Sequence, residues 1–527
     1  MITISERASL LVASILIGAG VLANANSAAA AGARDTLRIA QTNDIRGTDP
    51  GMKRDALTDA VLAHIVEGLV AYREDTSVGL MLARSLDVSP DGKTYTFTLR
   101  PGLKFHNGQP VLAKYFVANW ARYMDPVNNW RCLQQFRADG PSPVVAIAAP
   151  DDATVVYKLA RPSSLFLANL ARPDCGSAGV YHPESLKADG TWDRPIGTGP
   201  YRLGEWRRDE YVELDRFDGY AALPGERDGM TGHKEALIPK VRFVVVPDES
   251  TEKAALFTGD IDIVASVPDS DLPDYRTNSA VIVQSTPSFE TQLFLFRTED
   301  PALKDRRIRE AFLLALDLPE IAAAMSNGQS QASYSIIPSA SRYYRDAQAA
   351  LPKRDVERAR ALLQEAGYDG KPLTIIANKQ YGEMFTGAVV AQQMVKDAGI
   401  NVDIEVLDWS TQLDRYNKGA YQIASTGFSA RLDPSLSFEQ MAGNKETQPR
   451  KVWDNPEALT LLDESMSTSD PAERQAILDR MEALYRADIP AIGLYSVVKS
   501  SAARTEISGY KDWALGEVRA WGVSFED

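Results

Sequence analysis

From about residue 290 onward the chain alternates two hydrophobic periods, and that alternation restricts its fold more than any other feature. "DRRIREAFLLALD" sets Ile308, Ala311, Phe312 and Ala315 on one helical face. "DVERARALLQEAG" does the same with Val356, Ala359, Leu363 and Ala366, then stops at Gly367, a residue suited to the left-handed turn that ends a helix. "LTIIA" and "VDIEVLD" read as strands between such helices, and Asp470-Pro471-Ala472-Glu473 reads as a helix start with proline in the first turn. Helices and strands in alternation bury their apolar faces against each other, so the class is α/β.

The first half is richer in strands. "TLRIA" at 36–40 reads as a strand, followed by a polar loop and a helix from about Ala56 to Leu69, with His64 at the edge of its core face. "KTYTFTLR" alternates Tyr95, Phe97 and Leu99 with threonines, the period of a half-buried strand, and "SPDG" before it supplies a turn. "ATVVYKL" and "YVELDRF" are further strands, and the apolar "KVRFVVVP" reads as one buried inside a sheet.

The opening "MITISERASLLVASILIGAGVLANANSAAAAGA" joins Arg7, an apolar run from Leu10 to Leu22 and small residues, the order of a secretory signal peptide. Cleavage is expected between Ala25 and Ala31. No cysteine lies there to carry a lipid, so export to the periplasm as a soluble protein is the expectation. Some 500 remaining residues exceed what one core organises, so two or three domains are expected. A net charge of -14 repels phosphate and argues against sequence-independent binding to nucleic acid or anionic membranes. Cys132 and Cys175, the only two cysteines, form a candidate disulfide in an oxidising compartment.

No catalytic constellation stands out. "GTGPYRLG" lacks dinucleotide-fingerprint spacing, and no Walker loop, G-x-S-x-G elbow or H-E-x-x-H occurs. His64, His106, His182 and His233 have no His or Cys partner at metal-ligand spacing. The expectation is therefore no enzyme, no metal and no cofactor.

"LARSLDVSPDGKTYTFTLRPGLKFHNGQPVLAKYFVANW" resembles the signature of the family 5 extracellular solute-binding proteins of ABC importers. "IGTGPYRLGEW", "FTGDIDIV", "RRIREAFLLALD", "ALLQEAGYDG" and "STGFSARLDPSLSF" follow in that family's order. The resemblance implies a two-lobed periplasmic binding protein fold that encloses its ligand by hinge closure and docks, as a monomer, on an inner-membrane permease driven by ATPase subunits. Its implied layout is a signal peptide at 1–30, lobe I at 31–80, an extra lobe I subdomain at 81–185, lobe I again at 186–285, lobe II at 286–495 and a return to lobe I at 496–527. "HNGQP" and "GTGPY" have structural readings, a turn and a close backbone approach, so His106 and Gly199 are not taken as ligand contacts.

Peptide-binding relatives carry a tryptophan followed three places later by an aspartate that pairs with the ligand's α-ammonium. Phe428 and Arg431 occupy those places here, so the charge is reversed. Either Asp433 takes over the lost role or the ligand presents a carboxylate to Arg431. The second is favoured, because a guanidinium fork holds carboxylate bidentately and keeps its charge when buried; pairing of Arg431 with Asp433, or exposure to solvent, stays open. Arg172 is a second candidate, since nickel-chelate-binding relatives use an arginine in a similar segment. Trp409, Tyr421 and Tyr495 are candidate cleft walls, and Thr42, Asn43 and Asp44 candidate polar contacts from the other lobe. The expected ligand is a peptide or a peptide-like, carboxylate-bearing small molecule. The alternatives are a metal chelate such as nickel with organic acids, or an exported chaperone or chemoreceptor partner on the same fold.

Overall fold

A computed structural model describes residues 34–526; the expected signal peptide and its cleavage region lie outside the described residues. One ten-stranded sheet runs through the molecule. From one edge its strands are Val402–Leu407, Leu373–Asn378, Ile423–Phe428, Val281–Phe296, Ala491–Arg504, Ile263–Val264, Thr36–Gln41, Lys240–Val245, Tyr211–Arg216 and Tyr201–Arg207. The first three are mutually parallel, joined through the helices Gly382–Lys396 and Trp409–Lys418.

The two central strands tie the halves together. Val281–Phe296 and Ala491–Arg504 pair antiparallel along nearly their whole length, but the register breaks between Pro287 and Thr291 and again between Gln292 and Leu293. Irregularities of this kind bend a strand and raise its local twist. On one side of the break a single core gathers apolar residues between Leu293 and Tyr495. On the other side three clusters draw on residues 37–283, with Trp513, Trp521 and the last strands returning to them.

A separate antiparallel sheet of Ala83–Val88, Thr94–Leu99, Thr154–Leu159 and Val144–Ala148 carries the helix Ala113–Met124. Tyr95, Phe97 and Leu99 face inward in strict alternation, as their period requires. Cys132 and Cys175 are joined in a disulfide with Cα atoms 5.4 Å apart, in the same core cluster as the stacked rings of Trp130 and Phe136. The bodies touch where Ser164 gives its N–H to the Met466 carbonyl (2.9 Å) and its hydroxyl to that of Ser465 (3.1 Å). Leu432 also crosses, packing against the core that holds Phe97 and Trp130.

Three local expectations need correction. The helix beginning at Ala56 ends at Leu62 rather than Leu69, because the following residues turn inward: the carbonyls of His64 and Ile65 fill the space a side chain would need at Gly199 and Gly197. His64 is a core residue, not an edge one. It is fully buried, accepts the Ala520 N–H at 3.0 Å, and burial pulls its pKa down to about 3. In "KVRFVVVP" only Val241 and Phe243 are buried in the strand Lys240–Val245, so that strand is covered on one face.

Candidate functional site

Parallel strands deliver their loops to one edge of the sheet, and ligands of open α/β sheets bind outside those carboxyl ends. Here Leu373–Asn378 feeds Tyr381 and Glu383, Val402–Leu407 feeds Trp409, and Ile423–Phe428 feeds Ser429 and Arg431. These residues surround a cavity of about 360 Å³. The helix Trp409–Lys418 turns Trp409, Gln412, Leu413 and Tyr416 toward it, the three-and-four spacing of one helical face. The helix Gly382–Lys396 starts at the cavity without a side-chain cap, leaving its first N–H groups there.

Arg431 is the cation of this cavity. One guanidinium nitrogen is held by the Ser429 hydroxyl (2.8 Å) and by the carbonyls of Ser429 and Ala430 (3.1 and 3.0 Å). Among the described residues it forms no ion pair. Burial, then the neighbouring Arg172 guanidinium, and further off Arg131, pull its pKa below the usual arginine value, with Glu439 and Tyr416 opposing. A charge held against its own kind beside a cavity is a place for an anion.

Gln292 completes the polar lining from the central strand. It is 7% exposed, and its carboxamide oxygen is buried without a hydrogen-bond partner among the described residues. Gly427 permits that placement: a Cβ there would lie 2.8 Å from the Gln292 amide nitrogen. Glu290 also lines the cavity and is bound to Lys499 at 2.7 Å.

Of the residues singled out from sequence, the structure gathers Trp409, Phe428 and Arg431 around this cavity. Asp433 does not pair with Arg431. Its carboxylate binds Arg474 at 2.5 Å and accepts the Ser435 N–H at the start of the helix Pro434–Met441. Arg172 lies near enough to act on Arg431, yet its guanidinium is taken by Asp174 through two hydrogen bonds of 2.9 and 2.6 Å. Tyr421 and Tyr495 are packed in the core between Leu293 and Tyr495 and do not line the cavity. Asp44 is tied to the Trp206 indole N–H (2.9 Å) and the Asp209 N–H (3.2 Å), while Thr42 and Asn43 are exposed beside it. The sequence reading missed Gln292, Gln412 and Tyr416. Gln412 and Tyr416 stand three and seven places after Trp409, and Gln292 interrupts the apolar run "TQLFLF", so both signals were present.

Residues 77–449 match the family described as "Bacterial extracellular solute-binding proteins, family 5 Middle". The oligopeptide-binding protein OppA of Bacillus subtilis is 23% identical, over 92% of each chain. The glutathione-binding protein GsiB of Pectobacterium atrosepticum is 26% identical, over 94% of this chain and 95% of its own. The PBP AgaA of A. tumefaciens R10, solved with agropinic acid, superposes with a TM-score of 0.69 at 25% identity, over 93% of this chain and 99% of its own. The match extends from the antiparallel sheet to beyond the cavity and the Arg431 loop, so this chain belongs to the family 5 bacterial extracellular solute-binding proteins and has their two-lobed α/β fold.

Proposed function

We propose that this protein is the exported substrate-binding subunit of an ABC importer, and that it captures a peptide-like small molecule bearing a carboxylate. The observation that carries this reading is Arg431: a guanidinium without an ion-pair partner among the described residues, lining a cavity and facing like charge. A ligand carboxylate would supply the missing partner and fix the ligand's orientation through the guanidinium fork. The relatives support that chemistry, since oligopeptides, glutathione and agropinic acid all carry carboxylates.

The break in the central strands between Pro287 and Thr291 is the hinge in this reading, with lobe I at 31–285 and 496–527 and lobe II at 286–495 closing about it before the protein meets its permease in the periplasm. Leu432, one residue beyond Arg431, packs on the opposite body, so the loop that meets the ligand also meets the other lobe. Ligand recovered by native mass spectrometry and titrated calorimetrically tests the assignment. Removing one partner of a buried charge pair costs about 2 to 5 kcal/mol, so Arg431→Ala weakens binding roughly 30-fold or more. Arg431→Lys restores only part of it, because the fork is lost. A change of less than roughly threefold in a folded Arg431→Ala protein contradicts the reading.

A further inference from the structure

A second cavity, of about 350 Å³, begins where the Arg431 loop leaves the first. Arg431 lines one, Leu432 and Asp433 line the other, and no residue lines both. Its walls come from both bodies. Tyr72 and Tyr95 belong to the core of the antiparallel-sheet body, and Tyr343 to the core between Leu293 and Tyr495. Ser164, whose N–H and hydroxyl join the two bodies, also lines it.

One wall is strained. The strands Val70–Tyr72 and Val78–Leu80 form a hairpin, and its turn is closed by the Arg73 N–H on the Ser77 carbonyl (2.7 Å) and the Thr76 N–H on the Arg73 carbonyl (2.9 Å). Thr76 stands in that turn at a φ of 64°, the left-handed region that glycine enters freely and a β-branched residue does not. Its side chain is one of those that line the cavity. Strain of this kind marks a position where placing the side chain has a use.

The cavity mixes donors and acceptors instead of concentrating one sign of charge. Arg474 and the Ser435 N–H both bond Oδ1 of Asp433, which leaves Oδ2 without a hydrogen bond among the described residues. The hydroxyls of Thr76, Thr468 and Ser469 line the space, and each can donate and accept. Arg342 adds a donor at the exposed rim, where it bonds the Tyr343 hydroxyl at 2.9 Å. The buried charges of the lining, Asp433 and Arg474, neutralise each other, so an ion gains little inside. An apolar molecule would strip water from the hydroxyls without replacing its hydrogen bonds. A neutral molecule with many hydroxyl groups on an apolar carbon frame suits both these groups and the rings of Tyr72, Tyr95 and Tyr343.

We propose that this second cavity is a binding site for a neutral polyhydroxylated molecule, a sugar or sugar alcohol, held by Asp433 Oδ2 and the hydroxyls of Thr76 and Thr468 and bridging the two bodies. The site is separate from the one at Arg431 and stands whether or not that residue holds a carboxylate.

The test titrates the mature chain calorimetrically with glucose, mannitol and trehalose, of which at least one is expected to bind with a submillimolar Kd. Thr76→Gly keeps the turn and removes the hydroxyl, and is expected to weaken that binding roughly tenfold or more. Ser469→Trp fills the space from an exposed position, so it gives the same loss even if the Thr76 turn rearranges. Arg431→Ala is expected to leave the sugar affinity within about threefold. Sugars also stabilise proteins in general by exclusion from the surface, so a rise in melting temperature supports the site only where both variants lose it. No binding by any of the three probes overturns the proposal, as does binding that either variant retains. Binding lost in Arg431→Ala places the sugar in the first cavity and also overturns the second site, while leaving Arg431 a ligand contact.

Discussion

The surroundings of the antiparallel sheet between Ala83 and Leu159 and the cavity at the parallel end of the ten-stranded sheet treat charge differently. Around the former, polar groups are closed against each other: Arg122 with Asp49 at 2.7 Å, Arg172 with Asp174 at 2.6 Å, and Lys234 with Glu67 at 3.0 Å. At the parallel end Arg415 and Glu405 are likewise paired, at 2.7 Å, but at the cavity, among the described residues, Arg431 has no ion pair and the Gln292 oxygen no hydrogen bond. The topology explains the contrast. Antiparallel strands return through tight turns that leave little room, whereas parallel strands send three loops to the same edge and hold them apart with helices. An arginine that is paired stabilises the fold; one left over in a cavity is available to a ligand.

That contrast predicts where stability and binding separate. The largest loss of stability is expected at Lys234, which is 2% exposed, hydrogen-bonded to the equally buried Glu67 and placed 4.3 Å from the Trp521 ring centre. Lys234→Met leaves the Glu67 carboxylate buried without its cation, held only by the Tyr220 and Thr198 hydroxyls, a loss of about 3 to 5 kcal/mol in denaturant unfolding, with ligand affinity unchanged for the folded fraction. A loss under 1 kcal/mol would show that the enclosed pairs are not what holds this body together. Next comes the disulfide. Closing a loop with a sequence separation of 43 residues is worth about 4 kcal/mol in the entropic picture, less where the native state is strained, so replacing both cysteines by alanine lowers stability by up to that amount. Thiol labelling under denaturing, non-reducing conditions is expected to modify neither cysteine; full labelling of both would exclude the bridge.

The last effect is read as a slope with pH rather than as a loss at one pH. Burial raises Glu517 to about 8 and Asp59 to about 7, the Arg54 partner only partly offsetting the latter. The folded, ligand-free protein thus holds protons that the unfolded chain releases, and the associated stability is complete below about pH 4 and is lost as pH rises through 7 and 8. Glu517→Gln is expected to flatten the upper part of that decline in thermal unfolding of the empty protein. An unchanged slope would mean that the carboxyl is not enclosed.

Much of this architecture was legible because local periods survive folding. The helices Arg306–Ala315 and Val356–Ala366 and the strand Thr94–Leu99 follow their sequence spacing closely. The central strand Val281–Phe296 was not legible, since it changes environment midway: its first half is mostly exposed or half-exposed, and its last six residues are all buried. No single period describes such a strand. The Arg431 loop was readable through the family's motif, as was its reversed charge. The environment of Glu517 was not, because its neighbours Asp59 and Asp174 are hundreds of residues away in the chain and meet it only through the returning C-terminal segment. Asp433 shows the converse. The sequence offered it as a ligand contact, but Arg474, forty-one residues on, engages it.

The central claim is that Arg431 holds a ligand carboxylate, and the most direct measurement is a crystal structure of the protein with an acid identified by native mass spectrometry. The account predicts two ligand carboxylate oxygens at about 2.7–2.9 Å from Arg431 nitrogens, within the cavity that Trp409 and Phe428 line. A ligand whose carboxylate lies elsewhere, with Arg431 still bound only to its own loop, would contradict it.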